Sequence, residues 1–443
     1  MERGKLGTLV DCLSAVADKL SARPEYSASK YTNRDAVNSA FAAFFFQFPS
    51  LLRYMREMEE QEKRSNVQSL FDVTGIPSDN QIRNIVDSIE PSSINAVFND
   101  TLKTAGQSGD IKEYRVLDGG VLLAIDGLWY FSSGNINCPH CLRKQTKDAE
   151  GESVTEYYHA ALAGAVVKPG CNKVLPLAPE IIRNTDGEKK QDCELAAGKR
   201  WLTAHWQEYD WLKPTLFGDD LYSNRPFCEK IVGNGWSFIF TCKEESHPWL
   251  TETIQNSNLH EVSEEKWDPR KKKTVVYTWK YLNSVPIRYD EKDPFLVNYL
   301  SFEIRTKGTA KPSYSNSWIT NKVVSDINVA YLAECGRARW KIENEHNSAT
   351  MLPHVLKRRG YNLEHNFGHG SSHAADNFFL LNLLALQFHT ILEYCDLEYQ
   401  LTYSIFPVRV AFFEGLRVLI RRRYFVSWVE FLQYVIGKDT GPL

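Results

Sequence analysis

The alternation of apolar and polar positions divides the chain into a helical start, a strand-rich middle and a helical end. Asp35-Ala-Val-Asn-Ser-Ala-Phe-Ala-Ala-Phe-Phe-Phe repeats apolar residues at helical spacing and stops near Phe48-Pro49, where proline cannot continue a helix. Leu51 to Arg64 predicts a charged, solvated helix, and Pro77 onward another, with Ser78 or Asp79 as its N-cap. Near residue 111 the period changes. Val121-Leu-Leu-Ala-Ile-Asp-Gly-Leu-Trp-Tyr-Phe131 sets apolar residues on both sides of a single acid, inside a strand predicted over 115–132. Thr155 to Lys168 predicts a second strand, ended by Pro169-Gly170, and Asn172 to Ala178 a third, which together suggest an antiparallel meander.

A helix follows from Asp192. Trp211-Leu-Lys-Pro-Thr-Leu-Phe-Gly-Asp-Asp-Leu-Tyr222 then predicts a short strand that delivers Asp219 and Asp220 at its C-terminal end. Ile231 to Cys242 predicts another apolar strand, in Trp236-Ser-Phe-Ile-Phe-Thr-Cys242. The rhythm breaks over 245–310, where β-rich pieces at 274–281, 284–289 and 296–304 predict an insertion. Helical spacing resumes at Ile327, runs through Arg337-Ala-Arg-Trp-Lys-Ile-Glu343 to Asn347, and continues to the end of the chain. Five segments result: a helical 1–110, a strand-rich 111–244, the insertion 245–310, a return at 311–390 and a helical 391–443.

Composition narrows the class. At 443 residues the chain is too long for one small core. Its 43% apolar and 24% charged content is that of an ordinary globular protein, with no repeat or low-complexity tract. The net charge of −3 excludes a polycation, so any nucleic-acid contact must use local charge such as Arg270 to Lys273 or Arg421 to Arg423. The longest apolar run, Phe378 to Phe388, is interrupted by Asn382 and Gln387 and predicts a buried core helix, not a membrane span. Nine scattered cysteines and an N-terminus without an apolar leader core predict reduced thiols or metal ligands in a cytoplasmic protein.

The candidate chemistry starts from Asp126. A carboxylate inside an apolar strand is costly unless a partner or a metal holds it. The order of elements supplies companions: Asp219 or Asp220 after a later strand, and Glu343 or Glu345 on a late helix. In a ribonuclease-H-like sheet the first strand neighbours the strand that bears the second acid. Three such carboxylates suit a pair of hard cations, because they are anionic and able to bridge.

Ala124-Ile-Asp126-Gly, Phe217-Gly-Asp219-Asp-Leu-Tyr222 and Arg339-Trp-Lys-Ile-Glu343-Asn-Glu, in this order and spacing, resemble the DDE transposases of bacterial insertion sequences. The likeness is to the cut-and-paste branch with a tyrosine-arginine-glutamate-lysine signature, and it covers roughly 111–390. It implies a ribonuclease-H-like mixed sheet carrying a β-rich insertion, flanked by helical N- and C-terminal regions, the first of them a DNA-docking module. It implies Asp126, Asp219 and Glu343 as catalytic ligands of two Mg2+ ions. It further implies Arg339, with Arg337, Lys341 and Tyr222, as DNA contacts, and Trp267, Trp279 and Trp318 as stacking candidates. The signature tyrosine falls at Gly336 and the lysine at Thr350, with Lys357 or Arg358 as out-of-register substitutes. The implied partner is double-stranded DNA with terminal inverted repeats, bound by a homodimer at the nucleoid. The implied reaction is strand cleavage by water, followed by attack of the freed 3′-hydroxyl.

Two further patterns involve metal-ligand residue types. Cys138-Pro-His-Cys141 has the spacing of half a zinc site. His159 and Cys193 are the candidates chosen to complete it, with Cys171 and His140 as alternatives. His365, His369 and His373 are spaced by four, but Gly368 and Gly370 argue for a loop near DNA or the active site over a metal-binding helix.

Overall fold

The computed structural model describes residues 3–20, 30–58, 64–109, 111–147, 150–187, 190–270, 272–288, 292–343, 361 and 368–438. The strands are β1 Leu122–Ser133, β2 Leu142–Lys147, β3 Ser153–Val167, β4 Leu175–Pro176, β5 Glu180–Ile181, β6 Thr215–Gly218, β7 Ser237–Thr241, β8 His260–Asp268, β9 Lys273–Pro286, β10 Leu296–Thr306 and β11 Tyr314–Thr320. They form one mixed sheet in the order β2-β3-β1-β6-β7-β11-β10-β9-β8, with β4 and β5 also on β3. The protein is thus mixed α/β, with helical regions at both ends of the chain.

The sheet brings distant acids together. β1 is antiparallel to β3, whereas β6 lies parallel to β1 with Ala124 opposite Phe217. That register sets Asp126, inside β1, level with Asp219 just past the end of β6. β1 begins at Leu122, later than the predicted 115, because Leu117–Gly119 forms a 3-10 turn with Asp118 and Gly119 at positive φ. The strand predicted at Trp236 to Cys242 is β7, whereas Ile231 lies in the preceding helix, Arg225–Gly233. The polar strand β2 was not expected: Arg143, Lys144 and Gln145 are exposed on the sheet edge and show no apolar alternation.

The predicted insertion is β-rich but continues the central sheet. β11 pairs with β7 on one side and β10 on the other, so the added strands run to Thr320, past the expected limit of 310. The pieces expected at 274–281 and 284–289 fall largely on one strand, β9, whose pairing with β10 shifts register near Ser284, a residue at φ +58°.

The helices are α1 Gly4–Lys19, α2 Asn33–Phe45, α3 Leu51–Met58, α4 Asn66–Phe71, α5 Asp79–Asp87, α6 Pro91–Gln107, α7 Lys190–Tyr209, α8 Arg225–Gly233, α9 Pro248–Gln255, α10 Val329–Arg337, α11 Ala374–Cys395, α12 Leu397–Ser404, α13 Arg409–Arg422 and α14 Trp428–Val435. Ser78 caps α5 by accepting from the Gln81 amide, one arm of a capping box. The helices before β1 and those after residue 373 share one core. Phe45 stacks on His389 at 4.2 Å, Phe41 meets Phe388 at 4.8 Å, and the Trp428 indole donates to the Leu70 carbonyl at 2.7 Å. The expected N-terminal module is therefore packed into the C-terminal helices. α11 is long and apolar enough to cross a membrane, but it is buried from Ala374 through Glu393 as the axis of this core. Gln387, inside it, donates to the Phe98 and Pro176 carbonyls and accepts from Thr101.

Asp87, on α5, caps α11 from outside. Its carboxylate accepts from the amides of Ser371, Ser372, His373 and Ala374 at 2.8–3.0 Å. Burial opposes its charge, yet these donors hold Asp87 below the usual carboxylate range. A carboxyl depressed in the folded state stabilises it above the unfolded value, and that contribution is lost as pH falls through the depressed one. Asp87→Ala should cost about 2 kcal/mol at neutral pH, with a smaller difference from wild type near about pH 3, measured by denaturant unfolding.

Candidate functional site

Asp126 lies on β1 just beyond its last pairing with β6, and Asp219 caps the 3-10 turn at the end of β6 by accepting from the Leu221 amide at 2.9 Å. Beyond α10 the chain turns at Ala338 and Arg339 and is helical again at 340–343. This places Glu343 one turn after Arg339, and the two form an ion pair at 2.6 Å. Asp126 feels Arg339, Glu343 and Asp219 together. Burial pushes the Asp126 carboxyl up to about 7; the neighbouring acids add to the rise and Arg339 opposes it. Burial also raises Asp219, against the Leu221 amide and Arg339.

Asp220 turns away from this group. It accepts from the Lys243 amide at 2.7 Å and lies 3.2 Å from His247. Asp219 is thus the acid of the pair that joins Asp126. Glu345, Thr350, Lys357 and Arg358 lie outside the described residues.

A fourth carboxylate belongs to the group. Glu194, on α7, is buried and is the first of the acids acting on Asp126. A Cβ added at Gly127 would meet its Oε2 at 2.5 Å, so the glycine beside Asp126 is what admits it. The Tyr222 hydroxyl donates to Glu194 Oε1 at 3.2 Å. Tyr222 is fully buried, which removes it from the expected DNA contacts and makes it a positioning residue for Glu194. The Asp126-Gly127 step is the sequence trace of this arrangement, but Glu194 itself carries no local signal.

The expected cation row also divides. Arg337 lies over the Phe302 and Tyr314 rings, at 5.4 and 4.8 Å, and ties α10 to the added strands. Lys341 is buried, with its ammonium 3.4 Å from Asn172. Both thus contact other parts of the protein, while Arg339 lies beside the acids. Gly336 packs on the Trp318 indole, where a Cβ would approach within 2.7 Å, so a tyrosine has no room at that signature position. Of the three stacking candidates, Trp318 and Trp279 are buried, and Trp267 is 63% exposed beside the Arg270 turn.

A second group forms where the β1 and β3 ends meet the segment before α11. The Cys138 and Cys141 sulfurs are 3.8 Å apart, and His159 Nε2 lies 3.5 and 3.4 Å from them. The fourth member is His369, whose Nε2 is 3.3 Å from Cys141 and 3.1 Å from His159. His369 therefore stands where Cys193 was expected. Cys193 lies on α7 and donates to the Gly187 carbonyl. Cys171 contacts the Tyr394 hydroxyl at 2.5 Å, and the His140 ring stacks on His373. Gly368 and Gly370, at φ +135° and +68°, keep 368–373 out of helix as expected, yet the loop brings His369 to the metal-ligand group in place of the DNA or active-site role expected of it. His365 lies outside the described residues.

All nine cysteines are free thiols. Compared with known proteins, the chain matches no protein-family model and no curated protein.

Proposed function

We propose that this chain is a DDE-type DNA transposase that cuts and rejoins phosphodiesters at the ends of its own element. The observation that carries this reading is the convergence of Asp126, Asp219 and Glu343, from three distant parts of the sequence, around Arg339. The ribonuclease-H-like reading of the sheet draws support from β1 lying antiparallel to β3 and parallel to β6.

The donor types suit hard divalent cations, although no three of these carboxylates lie within 4.8 Å of one another, so a bound ion would have to draw them together. The set offers carboxylate oxygens alone, and its negative charge exceeds what the neighbouring Arg339 balances. Mg2+, when bound, supplies Lewis-acid stabilisation of phosphodiester oxygens and a lowered pKa for the attacking water. Asp126, Asp219 and Glu343 would hold it, with Glu194 completing the set. Tyr222 fixes Glu194 in orientation, and the buried strand fixes Asp126. Arg339, held against Glu343, is placed to donate to a phosphate oxygen arriving at the acids. The exposed Trp267 and the basic turn of Arg270, Lys272 and Lys273 give the added strands a face suited to a nucleic-acid strand. Two copies acting on two DNA ends complete the proposal.

The test is Mn2+ titration followed by electron paramagnetic resonance of the free ion. Asp219→Asn and Glu194→Gln are each expected to weaken binding about tenfold or more. Unchanged affinity in both variants would remove this cluster as a metal centre.

A further inference from the structure

The Cys/His group has no part in the reaction proposed above, and its geometry is that of a closed metal site. Zinc with bonds of about 2.3 Å to sulfur and about 2.0–2.1 Å to nitrogen, in tetrahedral array, requires sulfur–sulfur separations of about 3.8 Å and sulfur–nitrogen separations of about 3.5 Å. The same bonds require a nitrogen–nitrogen separation of about 3.3 Å. The structure has 3.8 Å between the sulfurs, 3.3–3.5 Å for three sulfur–nitrogen pairs and 3.1 Å between the imidazole nitrogens. The fourth sulfur–nitrogen pair, Cys138 with His369, also lies within 4.8 Å. A disulfide is excluded, since its sulfurs would sit about 2.05 Å apart.

The surroundings are those of a metal ligand shell. His159 presents Nε2 to the sulfurs, and its Nδ1 lies 2.9 Å from the Asp376 carboxylate. Asp376 is itself buried and accepts from the Tyr130 hydroxyl at 2.7 Å. A carboxylate behind a ligating imidazole fixes its tautomer and orientation. The Cys138 amide points at the Cys141 sulfur at 3.3 Å. All four candidate ligands are buried, which leaves no open position for a substrate.

We propose that Cys138, Cys141, His159 and His369 bind one structural zinc ion that staples the β1–β3 end of the sheet to the segment leading into α11. Cys141 and His369 are 228 positions apart, so the ion closes a long loop. That loop includes Asp219 and Glu343. The ion is bound whether or not the carboxylate group cuts DNA.

The full-length protein, purified under reducing conditions without a metal-affinity step, should contain one zinc per chain by elemental analysis. Cobalt exchanged into the site should show tetrahedral d–d absorption and thiolate-to-cobalt charge transfer. His369→Cys is expected to keep one metal and to strengthen the charge-transfer band. Asp376→Asn should keep the fold and weaken zinc binding about 10-fold to 100-fold. Two results overturn the proposal: wild-type protein that takes up no zinc when equilibrated with it, or full zinc content retained by a Cys138→Ser/Cys141→Ser variant. Mn2+ affinity at the carboxylate group, read on the His369→Cys protein, is expected to match wild type, which separates this outcome from failure of the transposase reading.

Discussion

Asp126→Asn is expected to abolish divalent-metal-dependent DNA cleavage and, in the same molecule, to stabilise the metal-free fold. The loss follows from removing the ligand at the centre of the acid group, and a fall of about 10^3-fold or more is expected. The gain follows from burial. Asp126 is raised from 3.8 to about 7 by burial first and by Glu194, Glu343 and Asp219 after it, against Arg339. A carboxyl whose folded value lies above its unfolded value binds more protons in the native state, so its ionisation costs stability as pH rises between the two values. Above about pH 7 that cost is fully present, and the shift sets an upper bound of about 4 kcal/mol. Asparagine keeps the shape and drops the charge. In EDTA at about pH 8 the variant should therefore unfold at higher denaturant than wild type, and the difference should shrink towards zero near about pH 4. A variant no more stable than wild type at the higher pH would mean that Asp126 is not strained by its neighbours.

The second large effect lies in the helical core. Glu393, near the end of α11, is buried and forms ion pairs with Arg409 at the start of α13 and with Lys173, the latter at 3.4 Å. Arg409 is itself mostly covered, with a side chain 22% exposed. Arg409→Met leaves a buried carboxylate with only the more exposed lysine, and should cost about 3 kcal/mol. Arg409→Met/Glu393→Leu should recover much of that loss, because a pair of apolar side chains leaves no unbalanced charge behind. Urea unfolding of the two single variants and the double gives the coupling directly. Additive single effects would show that the pair does not act as a unit.

The elements that position the acids were legible for physical reasons. The start of β1 at Leu122 to Ile125, β6 and β7 are short runs of mostly buried residues, so their apolar density marks them without knowledge of their neighbours. The parallel pairing of β1 with β6 then follows from element order, and it brings Asp219 to Asp126. Ser78 could be read as a cap because capping depends on a few adjacent residues.

What escaped the sequence depends on contacts between distant residues. Glu194 looks like any acid on a half-exposed helix until Gly127 and Tyr222 are seen around it. His369 completes a group whose other members lie more than 200 positions earlier, and no local spacing encodes that meeting. Tyr222 was assigned to DNA by likeness, while its burial is set by the packing of Phe227 and Phe240. The shared core of the terminal helices was hidden for a related reason: an apolar helix face announces that it will be covered, not by which segment.

The four acids are expected to act together on phosphodiesters in DNA. The most direct measurement is incubation of the purified protein with duplex DNA that includes the sequences flanking its reading frame, with the cut sites mapped to the nucleotide. The expected result is cleavage at defined ends in Mg2+, none in EDTA, and none by Asp126→Asn in either condition. Failure of the wild-type protein to cut this DNA in Mg2+ or Mn2+, or cutting by Asp126→Asn at the wild-type rate, would contradict it.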